Sequence, residues 1–330
     1  MTTSECTGRI FDVRRFSTHD GGGIRTTVFF KGCPLRCAWC HNPEGIDFGR
    51  RPLWFAGKCI GCGSCVEAAR CGGVRRTETG IAVDPSAGED WDAVLDACPT
   101  GALRWDSRDV TVDELMELIR RDAPFYAHGG GGATLSGGDP LMQADFAREL
   151  LARCREESVH TAIETELHAP ENVVRAVLPL TDQIYADLKL MDSGLHRKYT
   201  GAGNERILSN LEWLLTGTMA ERLILRTPLI PGITATGENL SAIAAWISAR
   251  NPALRWELLN YNPLAAAKYP LVGRSYCFAD NPPKFSAGEM ESFAQIVRDA
   301  GIQNVFYEKE AGDENRRHRH RRNTAARGGV

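Results

Sequence analysis

"KGCPLRCAWCHNPEG", residues 31–45, places cysteines at 33, 37 and 40. The run is C-x3-C-x2-C, and no fourth cysteine stands close by. Structural zinc and cubane iron–sulfur sites both usually take four protein ligands. Two readings of the spacing stay open. In one, Cys33, Cys37 and Cys40 share a structural zinc with His41 or a distant residue. In the other, they hold a [4Fe–4S] cluster whose remaining iron has no protein ligand. An open position is how a metal centre takes up a substrate. Here the substrate would be a chelating small molecule.

Outward from this loop, the chain alternates strand-like and helix-like stretches. "RTTVFF" (25–30) precedes the cysteines. "ATLSG" (133–137), "HTAIET" (160–165), "QIYADLKL" (183–190), "RLILRTPLI" (222–230), "RWELLN" (255–260) and "NVFYE" (304–308) read as short buried strands. Helix candidates at 143–157, 204–216, 237–249 and 287–300 lie between them. Such alternation predicts parallel βαβ units. Six or seven strands are too few for a complete eight-stranded barrel. A partial barrel or an open parallel sheet fits, with chemistry at the C-terminal strand ends.

Composition narrows the class. The 330 residues are 43% hydrophobic, enough for a substantial core. A net charge of −3 gives no global pull on nucleic acid or membrane. No apolar run approaches the roughly 18 residues of a membrane helix, and "MTTSECTGRIFD" lacks a secretory pattern. A cytoplasmic protein is expected. Eleven cysteines in such a chain point to metal or redox chemistry before disulfides.

The cysteine loop and its surroundings resemble a known family. "DGGGIRTTVFFKGCPLRCAWCHNPEG" (20–45) is similar to the opening of the radical S-adenosylmethionine (SAM) enzymes that activate glycyl-radical enzymes, the relatives of pyruvate formate-lyase activating enzyme. The likeness continues in "GGATLSGGDPLMQ" (131–143), "DLKLMDSGLHRKYTGAGNERILSN" (187–210), "RTPLIPGIT" (226–234) and "LLNYNPLAAAKYPLVG" (258–273). It implies a partial (β/α)6 TIM-like barrel made of residues 1–48 and 107–310. It implies that Cys33, Cys37 and Cys40 hold the cluster while SAM takes the open iron. Reductive cleavage of SAM would give methionine and a 5′-deoxyadenosyl radical, which abstracts hydrogen from a backbone glycine of a partner glycyl-radical enzyme. A flavodoxin or ferredoxin would supply the electron. The alternative on the same scaffold is a radical SAM enzyme acting on a small molecule or peptide. A non-catalytic iron–sulfur electron carrier would not explain the ligand-binding pattern that follows.

The resemblance assigns ligand contacts residue by residue. Gly137, Gly138 and Asp139 follow a strand, where glycines let the backbone approach a ligand. Here that ligand would be the methionine amino group of SAM. The family more often has Glu at Asp139. Asp187 and Lys189 are two apart, so they share a strand face. A buried Asp–Lys pair is the plain reading. The resemblance gives Lys189 to the SAM carboxylate and places Asp187 in a small cation or polar site with Glu164 and Thr165. Arg226 matches a SAM-contacting arginine. "LNYNPL" (259–264) departs from "LPYH", with Asn262 at the histidine, so Asn262 can hydrogen-bond SAM but not titrate near neutral pH. Asp20 matches a position near the partner's glycine loop, and Gly22 stands at a usual proline. His196 belongs to a family motif without an evident chemical role.

Residues 49–106 read as an inserted module. "CIGCGSC" places Cys59, Cys62 and Cys65 in a ferredoxin-like triplet. "CPTGAL" (98–103) resembles the end of a second run. Positions 94, 91 and 88, where that run's own triplet would lie, hold Val94, Trp91 and Gly88. In two-cluster ferredoxins the fourth cysteine of one run ligates the other cluster. The arithmetic therefore gives one auxiliary [4Fe–4S] cluster on Cys59, Cys62, Cys65 and Cys98. Cys71 is left over, or serves as the fourth ligand of the same cluster or of a zinc knuckle. Cys6, Cys154 and Cys277 lack metal spacing. "FYAHGGGGA" (125–133) lacks the Lys-Ser/Thr of a phosphate loop and reads as a flexible approach to the next strand. The basic run within residues 311–330 reads as a disordered tail rather than a specific nucleic-acid site.

Overall fold

The computed structural model describes residues 6–308. The basic tail at 311–330 lies outside them. In chain order the elements are β1 (Thr7–Ser17), β2 (Arg25–Phe30), β3 (Pro52–Trp54), α1 (Ser64–Ala68), β4 (Val74–Thr77), β5 (Gly80–Val83), α2 (Trp91–Asp96), β6 (Leu103–Trp105) and β7 (Arg108–Thr111). There follow α3 (Val112–Gly129), β8 (Gly132–Gly137), α4 (Ala144–Glu156), β9 (Thr161–Thr165), α5 (Glu171–Val177), β10 (Gln183–Asp187), α6 (Ser193–Thr200) and α7 (Glu205–Thr216). The chain closes with β11 (Leu223–Pro228), α8 (Gly237–Ser248), β12 (Arg255–Leu259), α9 (Ala287–Asp299) and β13 (Val305–Phe306).

One sheet carries the architecture, in the order β13-β12-β11-β10-β9-β8-β2-β1-β7. From β2 to β13 every neighbouring pair is parallel, and β1 and β7 add an antiparallel edge. The parallel strands lie in sequence order, the winding of a barrel rather than of a sheet with a central switch point. The structure also adds elements to the sequence reading. Residues 125–129 of the glycine-rich run are the last turn of α3, begun by a Thr111–Glu114 capping box.

Alternation within the strands separates two faces. Val28, Phe30, Leu135, Ile163, Ala186, Leu225, Trp256 and Leu258 belong to one buried apolar core, which includes residues of the flanking helices. The opposite face follows from the register. It carries Arg25 and Thr27 of β2, Thr134 and Ser136 of β8, and Glu164 of β9. Tyr185 and Asp187 of β10, Arg226 of β11 and Glu257 of β12 continue it. A strand face this polar is costly in a parallel sheet unless its groups pair or meet a ligand.

The segment between β2 and β7 leaves and returns at one neck. β3 pairs antiparallel with β6, Pro52 opposite Trp105, and the Asp106 amide donates to the Arg51 carbonyl at 2.9 Å. Beyond the neck, β4 and β5 form a hairpin beside α1 and α2, with Cys65, Val74, Val94, Leu95 and Leu103 as a separate small core.

Candidate active site

The cysteine loop starts directly after β2. Main-chain bonds fix its ends: Gly32 N–H to Gly45 O at 2.8 Å and Cys33 N–H to Ile46 O at 2.9 Å. The end of α6 braces its middle, with Arg36 N–H on Thr200 O (2.7 Å) and Ala38 N–H on Tyr199 O (2.9 Å). The 268–274 segment straps it from outside. Lys268 donates to Asn42 and Glu44, Tyr269 Oη to the Ala38 carbonyl, and Arg274 pairs with Asp47.

Cys33, Cys37 and Cys40 share one electrostatic environment. Burial pushes all three thiols up, Cys40 to about 11, and nearby Glu166 adds to each. Cys33 also feels Cys37, and Cys37 feels Cys40. Such thiols ionise readily only when a metal takes the charge. Among the described residues, no three His, Cys, Asp or Glu side chains converge closely enough to hold one metal ion. In a cubane each thiolate meets a different iron, so three soft sulfur donors on one loop fit a cluster without converging on a point.

Beside this loop stands the end of β8. Gly137 has φ +113°, and a Cβ there would lie 2.3 Å from the Phe30 amide nitrogen. A Cβ on Gly138 would lie 2.2 Å from the Gly32 carbonyl oxygen. Both glycines are therefore required by packing against the root of the cysteine loop, whatever ligand the turn meets. Asp139 is fully buried. It accepts from Leu141 N–H (2.9 Å), Thr165 Oγ1 (3.0 Å) and Glu166 N–H (3.1 Å). Burial raises its pKa to about 6 despite these donors. Its carboxylate holds the turn, and the amides of Gly138 and Asp139 donate to the Phe30 and Gly32 carbonyls at 2.7 and 2.8 Å.

Two ion clusters occupy the polar face. Arg226 bridges Glu164 and Glu257, the latter at 2.7 Å, and lies 3.8 Å over the Tyr185 ring. Ser136 Oγ donates to the other Glu164 oxygen at 2.5 Å. Burial alone would lower the Arg226 pKa, but the two carboxylates more than reverse this. Lys189 donates to Asp187 (2.5 Å) and to Glu166. Burial opposes its charge too, and the two carboxylates hold it well above the usual lysine range. Asp187 and Glu164 thus serve different cations, and Thr165 bonds to Asp139.

The remaining expected residues are placed as follows. The side-chain oxygen of Asn262 accepts from Leu264 N–H at 3.1 Å and caps a short 3-10 turn. Asp20 sits deeper on the polar face, accepting from Ser17 Oγ and Thr27 Oγ1 at 2.5 and 2.8 Å. His196 is buried in α6, its Nδ1–H donating to the Ala202 carbonyl at 2.6 Å. Glu166 and Glu257 did not emerge from the sequence. The alternation of Arg255 and Glu257 with Trp256 and Leu258 was the available signal for Glu257.

In the inserted segment, a cavity of about 240 Å³ is lined by Cys59, Cys62, Cys65 and Cys98, with Arg76 on its wall. Cys71 is not among its lining residues. Ser64 hydrogen bonds lower the Cys62 thiol. At Cys98, burial raises the thiol, but donors led by Leu103 N–H at 3.4 Å outweigh it and the net shift is downward. Cys71 is exposed, and its amide donates to Glu89 at 2.7 Å. The Glu89 carboxylate also accepts from the amides of Arg70 (2.9 Å) and Gly73 (2.8 Å).

Known proteins resemble the chain over most of its length. The model of the radical SAM superfamily matches residues 27–239. The chain is 38% identical to the indoleacetate decarboxylase activating enzyme of Tractidigestivibacter scatoligenes, over 90% of this chain and 96% of that one. It is 37% identical to the isethionate sulfite-lyase activating enzyme of Nitratidesulfovibrio vulgaris, over 81% and 88%. It is 35% identical to the choline trimethylamine-lyase activating enzyme of Oleidesulfovibrio alaskensis, over 88% and 94%.

Proposed function

We propose that this chain, which belongs to the radical SAM superfamily and within it to the glycyl-radical-enzyme activating enzymes, generates its radical on the polar face of the sheet. The observation that carries this is one juxtaposition. The three-cysteine loop, the Gly137–Gly138 turn and the Lys189 and Arg226 clusters all lie at the C-terminal ends of consecutive parallel strands. On this reading the winding is a partial barrel, and residues 49–106 form a ferredoxin-like module on its edge.

Cys33, Cys37 and Cys40 would hold a [4Fe–4S] cluster. When bound, that cluster supplies the single electron that cleaves SAM. The backbone of Gly137–Asp139 would receive the SAM amino group, and Lys189 its carboxylate. Arg226 and Glu164 would orient the rest of the ligand, with Asn262 at its nucleoside. Asp187 would add a cation or polar contact. Asp20 would face the glycine loop of the partner, a glycyl-radical enzyme. Aromatic packing of Trp39, Tyr261, Tyr276 and Phe278 on the loop would exclude water from the radical.

The auxiliary cluster would sit in the 240 Å³ cavity on Cys59, Cys62, Cys65 and Cys98, supplied by a flavodoxin or ferredoxin. A reducing cytoplasm would keep the seven cluster-ligating cysteines out of disulfides. No helix of the described residues is long and apolar enough to cross a membrane.

Anaerobic reconstitution tests the reading. Wild type should hold about eight irons and release 5′-deoxyadenosine from SAM after reduction. Alanine at Cys33, Cys37 and Cys40 together should leave about four irons and no product. Cys98→Ser should lose about four irons while Cys71→Ser loses none. Zinc in place of iron, or no SAM cleavage by wild type, would reject the assignment.

A further inference from the structure

Glu166 belongs to no role assigned above, yet it holds a central position. Its side chain reaches Lys189, and its charge is felt at Cys33, Cys37 and Cys40. The turn that presents it is locked from three sides. Glu166 N–H donates to Asp139 at 3.1 Å, Leu167 N–H to Thr165 Oγ1 at 3.0 Å, and Asn210 Nδ2–H to the Leu167 carbonyl at 2.8 Å.

Leu167 is itself unusual. It is fully buried and has φ +55°, a left-handed conformation that a side chain with a Cβ adopts at a cost. Such strain persists only where the surroundings over-determine it, and it gathers at functional sites. Here it aims Glu166 at the ammonium of Lys189.

Charge accounting gives this aim a consequence. Asp187, two residues from Lys189, already neutralises it at 2.5 Å. Glu166 is a second acidic group on the same cation, and burial, with Asp187 and Asp139 nearby, pushes its pKa up to about 7; with both carboxylates ionised the trio carries one net negative charge. A ligand carboxylate arriving at Lys189 would be the third. Three carboxylates on one buried ammonium, next to thiolates, cost more than two. Asp187 is tied to the strand end, whereas Glu166 reaches in from the neighbouring turn.

We infer that Glu166 is an internal competitor for Lys189, a carboxylate of the chain's own that SAM must displace when its carboxylate binds. This rests on the proposal that Lys189 receives the SAM carboxylate. The device sets SAM affinity rather than chemistry, and Glu166 is a positioning residue. A Lys189 held by Glu166 nine-tenths of the time would weaken apparent SAM affinity about tenfold.

The test is equilibrium dialysis of SAM and of 5′-methylthioadenosine, which lacks the amino-acid carboxylate, against reconstituted wild type, Glu166→Gln and Lys189→Met. Glu166→Gln keeps the shape and hydrogen-bonding reach of the side chain. It should tighten SAM about tenfold and leave methylthioadenosine unchanged. Weaker or unchanged SAM binding by Glu166→Gln overturns the inference, as does an equal change for both ligands. Lys189→Met separates the two ideas. If it weakens SAM while Glu166→Gln has no effect, Lys189 keeps its role and only the competition is wrong. If Lys189→Met binds both ligands like wild type, the reading of Lys189 falls, and the inference with it.

Discussion

Lys31 offers the sharpest energetic test of how the site is held. It lies two residues before Cys33 and is 1% exposed, yet it is charged. Its Nζ pairs at 2.5 Å with Asp106, whose side chain is 2% exposed. It also donates to the Glu44 carbonyl within the cysteine loop. Asp106 accepts further from Arg51 N–H at 3.1 Å and Ser107 Oγ at 2.7 Å. One ion pair thus joins the end of β2, the cysteine loop and the neck of the inserted segment. Burial pulls the Lys31 pKa down, and Asp106 only partly restores it. The ammonium is therefore a net cost held in place by geometry. Lys31→Met should leave the Asp106 carboxylate buried with two donors. Breaking one side of a buried pair costs about 3–5 kcal/mol, and the two remaining hydrogen bonds favour the lower end. Lys31→Met with Asp106→Leu removes both desolvation penalties and should cost about 0–1 kcal/mol. Asp106→Leu alone strands the Lys31 ammonium and should likewise cost about 3 kcal/mol or more, so the double-mutant cycle gives about 5–6 kcal/mol of coupling, more than residues in contact usually show. Urea unfolding followed by tryptophan fluorescence, on protein matched for iron content, measures all three variants. A loss below about 1 kcal/mol for Lys31→Met, or a double variant as unstable as the worse single one, would refute the reasoning.

Arg226→Met should strand Glu164 and Glu257, costing about 3–5 kcal/mol of stability and abolishing SAM cleavage; urea midpoints and 5′-deoxyadenosine yield check both. Asp139 should make stability pH-dependent. Its folded pKa of about 6 exceeds the unfolded value of about 3.9, so the folded state binds more protons between them. Its contribution is complete below about pH 4 and declines as pH rises through about 6, a loss of order 3 kcal/mol. Asp139→Asn should flatten that decline in unfolding titrations.

The parts of the site that repeat in local sequence were legible. The cysteine spacing, the glycine pair after a strand, and the carboxylate–ammonium pair at 187 and 189 each lie within a few residues. The strands 133–137, 160–165, 183–190 and 222–230 could be found because a parallel strand buried against helices is a dense apolar run. The structure gives β10 as Gln183–Asp187, so Lys189 lies just past the strand and reaches back. What escaped depends on distance along the chain. Lys31 meets Asp106 across 75 residues, and Arg226 meets Glu164 across 62. No spacing rule pairs such residues. Glu166 escaped for a different reason. "IETELHAP" has no glycine to announce a left-handed residue, and the strain at Leu167 is visible only in the backbone angles.

The inserted segment shows why counting cysteines is informative and incomplete. The positions a second cysteine triplet would fill hold Gly88, Trp91 and Val94, and Val94 lies in the small core with Trp91 packed against it. Around them the loop from Arg70 to Gly73 donates three amides to the one Glu89 carboxylate. A carboxylate that accepts several backbone amides organises a loop much as a bound anion does. Apolar packing and Glu89 thus order this stretch without a second cysteine triplet. Cys71 keeps its place in the chain, but its amide serves the carboxylate and its thiol is exposed. The four thiols lining the cavity are therefore set apart by the loop's own hydrogen bonding. On the proposed assignment to Cys59, Cys62, Cys65 and Cys98, an electron entering the segment would have one cluster to cross rather than two.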